Sequence, residues 1–441
     1  MSVNAGARLD RLPIFAFHRR ILWLIGIGMF FDGYDVYVAA TVLGATLNSR
    51  FSTLAQNAQF VSVTFMGMML GSFLTGFLGD RYGRRFTYQA NLMVFGAASI
   101  ASAFAPTMNV LILLRGVMGI GLGAELVAGY SAMAEFLPPQ ARGRWCGILN
   151  AVVVASVPIS GLASILLIPR FGWRTMFLIG GLGALIVWYM RKAMPESPRW
   201  LESVGRTEEA ESMLREIESE VIAQNIPLAE PEAPGAAVAT RNFSSLFGPE
   251  LRSRLLVGAT ALIVANTLIY GFVTWLPTFF VHEGLSIASS FKYSFLMSIG
   301  APVGAAIGAL SADSVGRKPA IISASLLTIL FGGIYPFIRD ARLLPLAGFL
   351  LVVCIYILVA LLFAIYIPEL FPTDVRMRAV GLCNTLGRAA TIFTPFLVVF
   401  LYRAYGVGGV VSLMIGLLVV QILAVHYFGI EPRMRRLEEM Q

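Results

Sequence analysis

The sequence predicts an all-α membrane protein: twelve transmembrane helices in two pseudo-symmetric six-helix bundles. Three observations carry this. Of the 441 residues, 57% are hydrophobic and 13% charged, whereas a soluble domain is nearer a quarter charged. The tracts 58–79, 255–281 and 343–368 contain no charged side chain, and each exceeds the ~20 apolar residues that cross a bilayer. The second half of the chain also repeats motifs of the first.

In order, the spans fall near 21–47, 58–79, 87–106, 109–134, 144–168, 173–194, 254–281, 290–312, 319–338, 344–368, 378–403 and 408–430. The N-terminal tail, the loops on its side and the C-terminal tail hold 24 Lys/Arg, the opposite loops hold seven, and Arg115 and Arg388 lie inside spans. That bias places both termini in the cytoplasm of a multi-pass plasma-membrane protein, with a bacterial inner membrane as the expected setting. It also accounts for the net charge of +8 without nucleic acid. The first 20 residues are polar and basic, and no small-residue cleavage pattern follows the first apolar run, so the N-terminus is not read as a secretory signal. Cys146, Cys354 and Cys383 all fall in spans without paired spacing, so neither disulfide nor metal site is expected.

The chain divides into 1–194, an N-terminal six-helix bundle; 195–253, a cytoplasmic linker; 254–430, a C-terminal six-helix bundle; and 431–441, a cytoplasmic tail. Within the linker, 207–224 has apolar residues at helical spacing among glutamates, and "IPLAEPEAPGAAVAT" reads as flexible chain. "GDRYGRR" at 79–85 recurs as "ADSVGRK" at 312–318, displaced by 233. "AEFLPPQARGRWCGILN" at 134–150 recurs as "PELFPTDVRMRAVGLCN" at 368–384, displaced by 234, and Pro198-Arg199 maps onto Pro432-Arg433. A parallel repeat of two six-helix halves is a transporter plan, with the site near the midplane between them.

Gly76-x-x-x-Asp80-Arg81-x-Gly83-Arg84-Arg85, between spans two and three, resembles the signature loop of the major facilitator superfamily. Arg115-x-x-x-Gly119-x-Gly121-x-Gly123 in span four is similar to a second motif of that superfamily. The resemblance covers nearly the whole chain and implies the major facilitator fold. The second copy departs from the pattern: Ala309 stands for Gly76 and Ser314 for Arg81, which implies looser closure around Asp313 and Arg317. Asp80 lies beside a turn that needs Gly83. Arg84 and Arg85 are expected to reach helix ends or carboxylates of the neighbouring bundle. Glu135 with Arg142, and Glu369 with Arg376, are expected to supply such partners, in pairs that close the cytoplasmic side in one state and break in the other.

An aspartate at the bilayer centre costs roughly 2.5–3.5 kcal/mol on insertion scales, yet "FFDGYD" in span one carries Asp32 and Asp35. Three residues apart on a helix, they project about 60° from each other, onto one face that must point into the bundle or a wet cavity. Two nearby carboxylates disfavour double ionisation, and a carboxylate that loads and releases a proton is what proton coupling requires. Arg115 is a candidate partner for them. Glu125, mid-span with no partner nearby in sequence, is a second proton site or a donor to substrate. Arg388 offers a bidentate fork for an anionic substrate, or else pairs with Asp32 or Asp35 across the cavity. Asn384 lies one turn away on the same face. Asn266 stands 234 residues beyond Asp32, so both are expected at the cavity. Tyr34, Tyr37, Asn150, Tyr270, Trp275 and Tyr366 complete the candidate lining.

"GIGLGAE" lacks the setting of a phosphate loop. No ATP site, metal-ligand set or nucleophile–base group is visible, so the chain reads as a non-enzyme with no cofactor, driven by an ion gradient with the proton as coupling ion. "DGYD" and the arginine of span eleven resemble the aromatic acid:proton symporters, whose substrates are benzoates, hydroxybenzoates and similar carboxylates. "GAELVAG" and "PESPRWL" are more similar to nicotinate carriers and sugar porters. The resemblance implies a proton symporter that imports a small organic anion by alternating access. The alternatives are a sugar or polyol symporter on the same fold and a ligand sensor without turnover. The lipid bilayer and a small-molecule substrate are the expected partners, and a monomer suffices for the pathway.

Overall fold

The structure, a computed structural model, describes residues 3–224, 226–230, 243–249, 251–338, 340, 342–371 and 376–431, some side chains within these ranges excepted. Six long helices come first: span 1 Ala16–Asn48, span 2 Leu54–Tyr82, span 3 Arg84–Ala103, span 4 Met108–Phe136, span 5 Pro139–Phe171 and span 6 Arg174–Met190. Span 7 runs through Arg252–Gly271, a 3-10 turn at Val273–Trp275, and Leu276–His282. Span 8 joins Ile287–Ser298 to Gly300–Val315, and span 9 is Arg317–Ile334. Span 10 is Leu343–Val359, continued by the π-helical segment Ala360–Tyr366 and by Ile367–Glu369. Spans 11 and 12 share Arg376–Phe428 and part at Gly406, whose φ of 64° and ψ of −156° break the helix.

Local chemistry sets these limits. Span 2 begins in a capping box: Gln56 N–H donates to Thr53 Oγ1 at 3.2 Å, and Thr53 N–H donates to Gln56 Oε1 at 3.0 Å. Gly83 (φ 95°) separates spans 2 and 3, and Gly316 (φ 101°) separates spans 8 and 9, a left-handed turn that glycine adopts without penalty. Among the described residues, nine helical segments are long and apolar enough to cross a bilayer. Spans 11 and 12 are merged in one of these, span 3 carries Thr87, Tyr88, Gln89 and Asn91 in its first turns, and span 8 is stepped at Ile299.

Each packing pair in the first half has its counterpart in the second. Span 2 packs on span 4 and span 8 on span 10; span 3 on span 6 and span 9 on span 12; span 1 on span 5 and span 7 on span 11. The halves meet where span 2 touches span 11, span 5 touches span 8 and span 1 touches the outer part of span 7. Glycine lets spans 2 and 4 approach closely: a Cβ on Gly71 would collide with the Ile120 carbonyl, and one on Gly123 with the Met68 carbonyl.

One face, called the tail face here, carries the N-terminal helix Ala5–Asp10 and the linker helix Thr207–Ile222. The two are strapped together. Glu218 pairs with Arg8 at 2.7 Å and Arg11 at 2.6 Å, and Arg8 also reaches Glu211 at 2.5 Å. Glu202 accepts from Asn4 N–H and Ala5 N–H at 2.8 and 2.9 Å, a carboxylate at a helix start. Burial works against an ionised Glu218, but the hydrogen bonds from Arg8 and Arg11 outweigh it and hold the carboxyl below its ordinary value. A lowered carboxylate contributes stability above its unfolded value of about 4.3 and loses it as pH falls through the folded value. The strap is therefore expected to hold from neutral pH to about 4.3 and to loosen below it. Hydrogen exchange of residues 5–10 against pH checks this, and uniform protection down to pH ~3 would refute it.

Candidate functional site

Among the described residues, the core of the first bundle holds five charged side chains. Arg115 of span 4 and Asp35 of span 1 form an ion pair, each 1% exposed. Arg115 Nη2 also donates to the Asp35 carbonyl at 3.3 Å and Nε to Thr64 Oγ1 at 3.1 Å, and the guanidinium lies 4.9 Å from the Phe60 ring centroid. Ten residues further along span 4, nearly three helical turns towards the tail face, Glu125 pairs with Arg191 at the end of span 6, at 2.5 Å. Arg191 donates to the carbonyls of Leu24 and Ile25 in span 1 at 2.7 and 2.9 Å. Asp32 is 2% exposed, and neither of its carboxyl oxygens has a hydrogen-bond partner.

Between the bundles, Arg388 of span 11 extends Nη1 to the Met68 carbonyl (3.5 Å) and Ser72 Oγ (3.2 Å) of span 2. No described carboxylate pairs with it, and it is partly exposed to the space between the halves. Nearby, Tyr270 packs edge-on against Phe65, centroids 4.4 Å apart. A cleft of about 280 Å³ is lined by Phe60, Thr64, Met68, Arg115 and Tyr270. A second, of about 470 Å³, is lined by Tyr37, Thr41, Ser160, Thr274, Ser294 and Ser298 among others. Tyr356 donates to Tyr37 across the interface at 3.2 Å. Further out, Ser62 donates to the Ile392 carbonyl at 2.7 Å, and Gly44 lies against Pro277. Towards the tail face, Gly147 and Gly381 face open space and Ile148 and Leu386 are each 39% exposed. The halves thus meet in their outer parts and separate towards the tail face.

This architecture matches known transporters over nearly its whole length. Residues 25–395 fit the family model described as Major Facilitator Superfamily. The chain belongs to the Major Facilitator Superfamily. It is 36% identical to the inner membrane metabolite transport protein YdjE of Escherichia coli K12, over 99% of this chain and 98% of that one. It is 30% identical to the niacin transporter NiaP of Acinetobacter baylyi, over 95% of each. A partially occluded inward-open structure of the xylose transporter XylE from E. coli superposes with a TM-score of 0.74 at 17% identity, covering 95% of this chain and 99% of that one. The protein is a superfamily transporter with bacterial inner-membrane relatives, not an enzyme.

The superfamily fold corrects several sequence expectations. Arg84 pairs with Glu135 at 3.1 Å and Arg317 with Glu369 at 3.0 Å. Both pairs lie inside one bundle, because each arginine starts the helix packed beside the one its glutamate ends. They do not bridge the bundles. Arg85 likewise stays within its half, donating to the Lys192 carbonyl at 2.7 Å. Gly76, Asp80, Arg142, Asp313 and Arg376 lie outside the described side chains, as does the Pro432-Arg433 repeat.

Tyr34 is not at the bundle interface: its hydroxyl points to Met176 Sδ, 3.5 Å away in span 6. Tyr366 sits at the tail-face end of span 10 and donates to the Ile430 carbonyl at 3.1 Å. Trp275 is buried in the 3-10 turn of span 7, stacked on Phe279. Asn150 accepts from Tyr130 at 3.2 Å. Asn266 and Asn384 each donate to the carbonyl four residues earlier, Leu262 at 2.7 Å and Val380 at 3.0 Å. Arg388 pairs with neither Asp32 nor Asp35, since Arg115 already holds Asp35.

Sequence reasoning missed three residues. Arg191 closes span 6 and reads as a positive loop charge. Glu196 accepts from Arg84 N–H at 2.9 Å and Arg85 N–H at 3.2 Å, and Glu431 accepts from Arg317 N–H at 3.0 Å and Lys318 N–H at 2.8 Å. Both glutamates cap helix N-termini. The available signal was a glutamate shortly before Pro-Arg in each half of the repeat.

Proposed function

We propose that this transporter is a proton-coupled importer of a small organic anion, with aromatic carboxylates such as nicotinate, benzoate or hydroxybenzoate as the substrate class. One observation carries the anion: Arg388 lies at membrane depth between the halves with only neutral described partners. An unpaired charge in low dielectric is costly, and a carboxylate arriving from solution relieves it. The apolar and aromatic lining beside it, Phe60, Phe65 and Tyr270, suits a ring. The niacin carrier among the relatives supports the same class.

Asp32, Asp35, Glu125 and Arg115 supply proton coupling in this reading. Asn266, Asn384, Tyr37 and Tyr270 line the path with Arg388. The tail face is the cytoplasmic face, because the Lys/Arg excess lies there, and the arrangement is open inward. The pairs Arg84–Glu135 and Arg317–Glu369 stiffen each half so that the halves rock as bodies around the site. One chain suffices, in a bacterial inner membrane.

The hydroxyl-rich second cleft favours a second reading, a sugar or polyol symporter. Uptake into proteoliposomes separates them. With the lumen alkaline, labelled nicotinate or benzoate is expected to accumulate, and accumulation to collapse with a protonophore. Accumulation of xylose alone would overturn the anion reading.

A further inference from the structure

Among the described residues, the first bundle contains three buried carboxylates, Asp32, Asp35 and Glu125, and two buried guanidiniums, Arg115 and Arg191. Asp35 and Arg115 neutralise each other. That leaves Asp32 and Glu125 with one guanidinium, Arg191. The three groups converge on one turn of span 1. A Cβ on Gly28 would strike the Arg191 guanidinium, and its position lies 3.1 Å from Glu125 Oε1. Asp32 is four residues further along span 1, on the same face, and helical Cα–Cβ bonds tilt towards the N-terminus. The Asp32 carboxyl therefore leans over the turn that Glu125 and Arg191 occupy.

Two ionised carboxylates and one guanidinium would leave a net charge of −1 among groups that are 1–2% exposed. Asp32 has no hydrogen-bond donor to offset ionisation, and an isolated buried charge neutralises instead. Arg191 is anchored independently. It donates to the Leu24 and Ile25 carbonyls, and its guanidinium lies 5.7 Å from the Tyr88 ring centroid. These bonds tie it to span 1 while the carboxylates exchange their charge state.

We propose that Asp32, Glu125 and Arg191 form a second proton site, separate from the Asp35–Arg115 pair, in which two carboxylates share one proton and one arginine. Loaded, the site holds one proton, one carboxylate and one guanidinium and is neutral. Emptied, it carries −1, and both carboxylates turn on Arg191. Arg191 is the positioning residue: through its hold on span 1 it transmits the change to the helix that packs against the other half. The groups facing the site are Glu125 and the paired Arg115 from span 4, Tyr88 from span 3, Arg191 from span 6 and Asp35 from span 1 itself. Among the described residues, span 5 brings Ser156, against Gly33. From the second half, the segment Leu276–His282 packs on span 1, and its His282 is engaged with Tyr402.

The proposal assigns the coupling proton of the symport reading and rests on that reading for its purpose. Its test needs neither substrate nor gradient. Infrared spectra of the protein in lipid at pH 7 are expected to show a protonated carboxyl band that is lost in Asp32→Asn and in Glu125→Gln. In Glu125→Gln, Asp32 becomes the sole partner of Arg191 and ionises. Retention of the band in Glu125→Gln would assign the proton to Asp32 alone and overturn the sharing. Absence of the band in the wild-type protein would overturn the site. Should a variant fail to fold, carbonyl-labelled aspartate and glutamate in the wild-type protein serve instead: both labels shift the band if the proton is shared, and one alone shifts it if it is not. A positive spectrum with gradient-independent uptake would reject symport and leave the site standing.

Discussion

Arg115→Gln is expected to destabilise the protein by about 3–5 kcal/mol, the cost of breaking a buried ion pair from one side. Asp35 loses its charge partner, and its other carboxyl oxygen already has no hydrogen bond. Adding Asp35→Asn removes the stranded charge, so the double variant should recover most of the lost stability. A double-mutant cycle on detergent-solubilised protein, followed by thermal unfolding, measures the coupling. Equal melting temperatures for single and double variants would show that Asp35 carries no charge in the folded state. Transport is expected to stay impaired in the stable double variant, because Arg115 lines the cleft between the halves beside Tyr270. Full recovery of gradient-driven uptake with stability would reduce the pair to a packing element.

Fold and site were legible to different depths. Twelve passes and two related halves follow from apolar runs and motif displacement, since a bilayer leaves helices few alternatives. The break of span 7 at Val273–Trp275 and the step of span 8 at Ile299 gave no apolar-pattern signal, because both occur within continuously apolar sequence. The pairing of Asp35 with Arg115 was one of the options the sequence offered, as intramembrane charges are few and must find each other. Arg191 was hidden by its position. At a span end, a basic residue is explained by topology, and only packing shows it turned inward onto Glu125. The gate carboxylates misled in another way. Glu135 and Glu369, expected as partners across the bundles, take Arg84 and Arg317 of their own bundle, 51 and 52 residues away. In helical hairpins the nearest charge in space is often on the adjacent helix, and local spacing does not encode which.

Arg388→Lys is expected to weaken binding of an aromatic carboxylate about 10- to 100-fold, the value of a charge-assisted hydrogen bond of roughly 1.5–3 kcal/mol. The geometry explains why keeping the charge is not enough. Nη1 is committed to Met68 and Ser72 of the opposite half. Among the described residues the Nε and Nη2 edge has no protein partner, and that edge is the one that holds a carboxylate with two parallel hydrogen bonds. Lysine offers a point charge on a flexible stem and no planar edge. It must either keep the contact to span 2 or meet the ligand, so affinity and the link between the halves become alternatives. Ser72→Ala separates the two roles, since it removes one of the two Nη1 partners without touching the edge. Binding should then fall less than in Arg388→Lys, while the two halves lose one of their cross-bundle ties. Calorimetric titration with nicotinate and benzoate measures the first effect. Unchanged affinity in Arg388→Lys would remove Arg388 from the site and leave its role to holding spans 2 and 11 together.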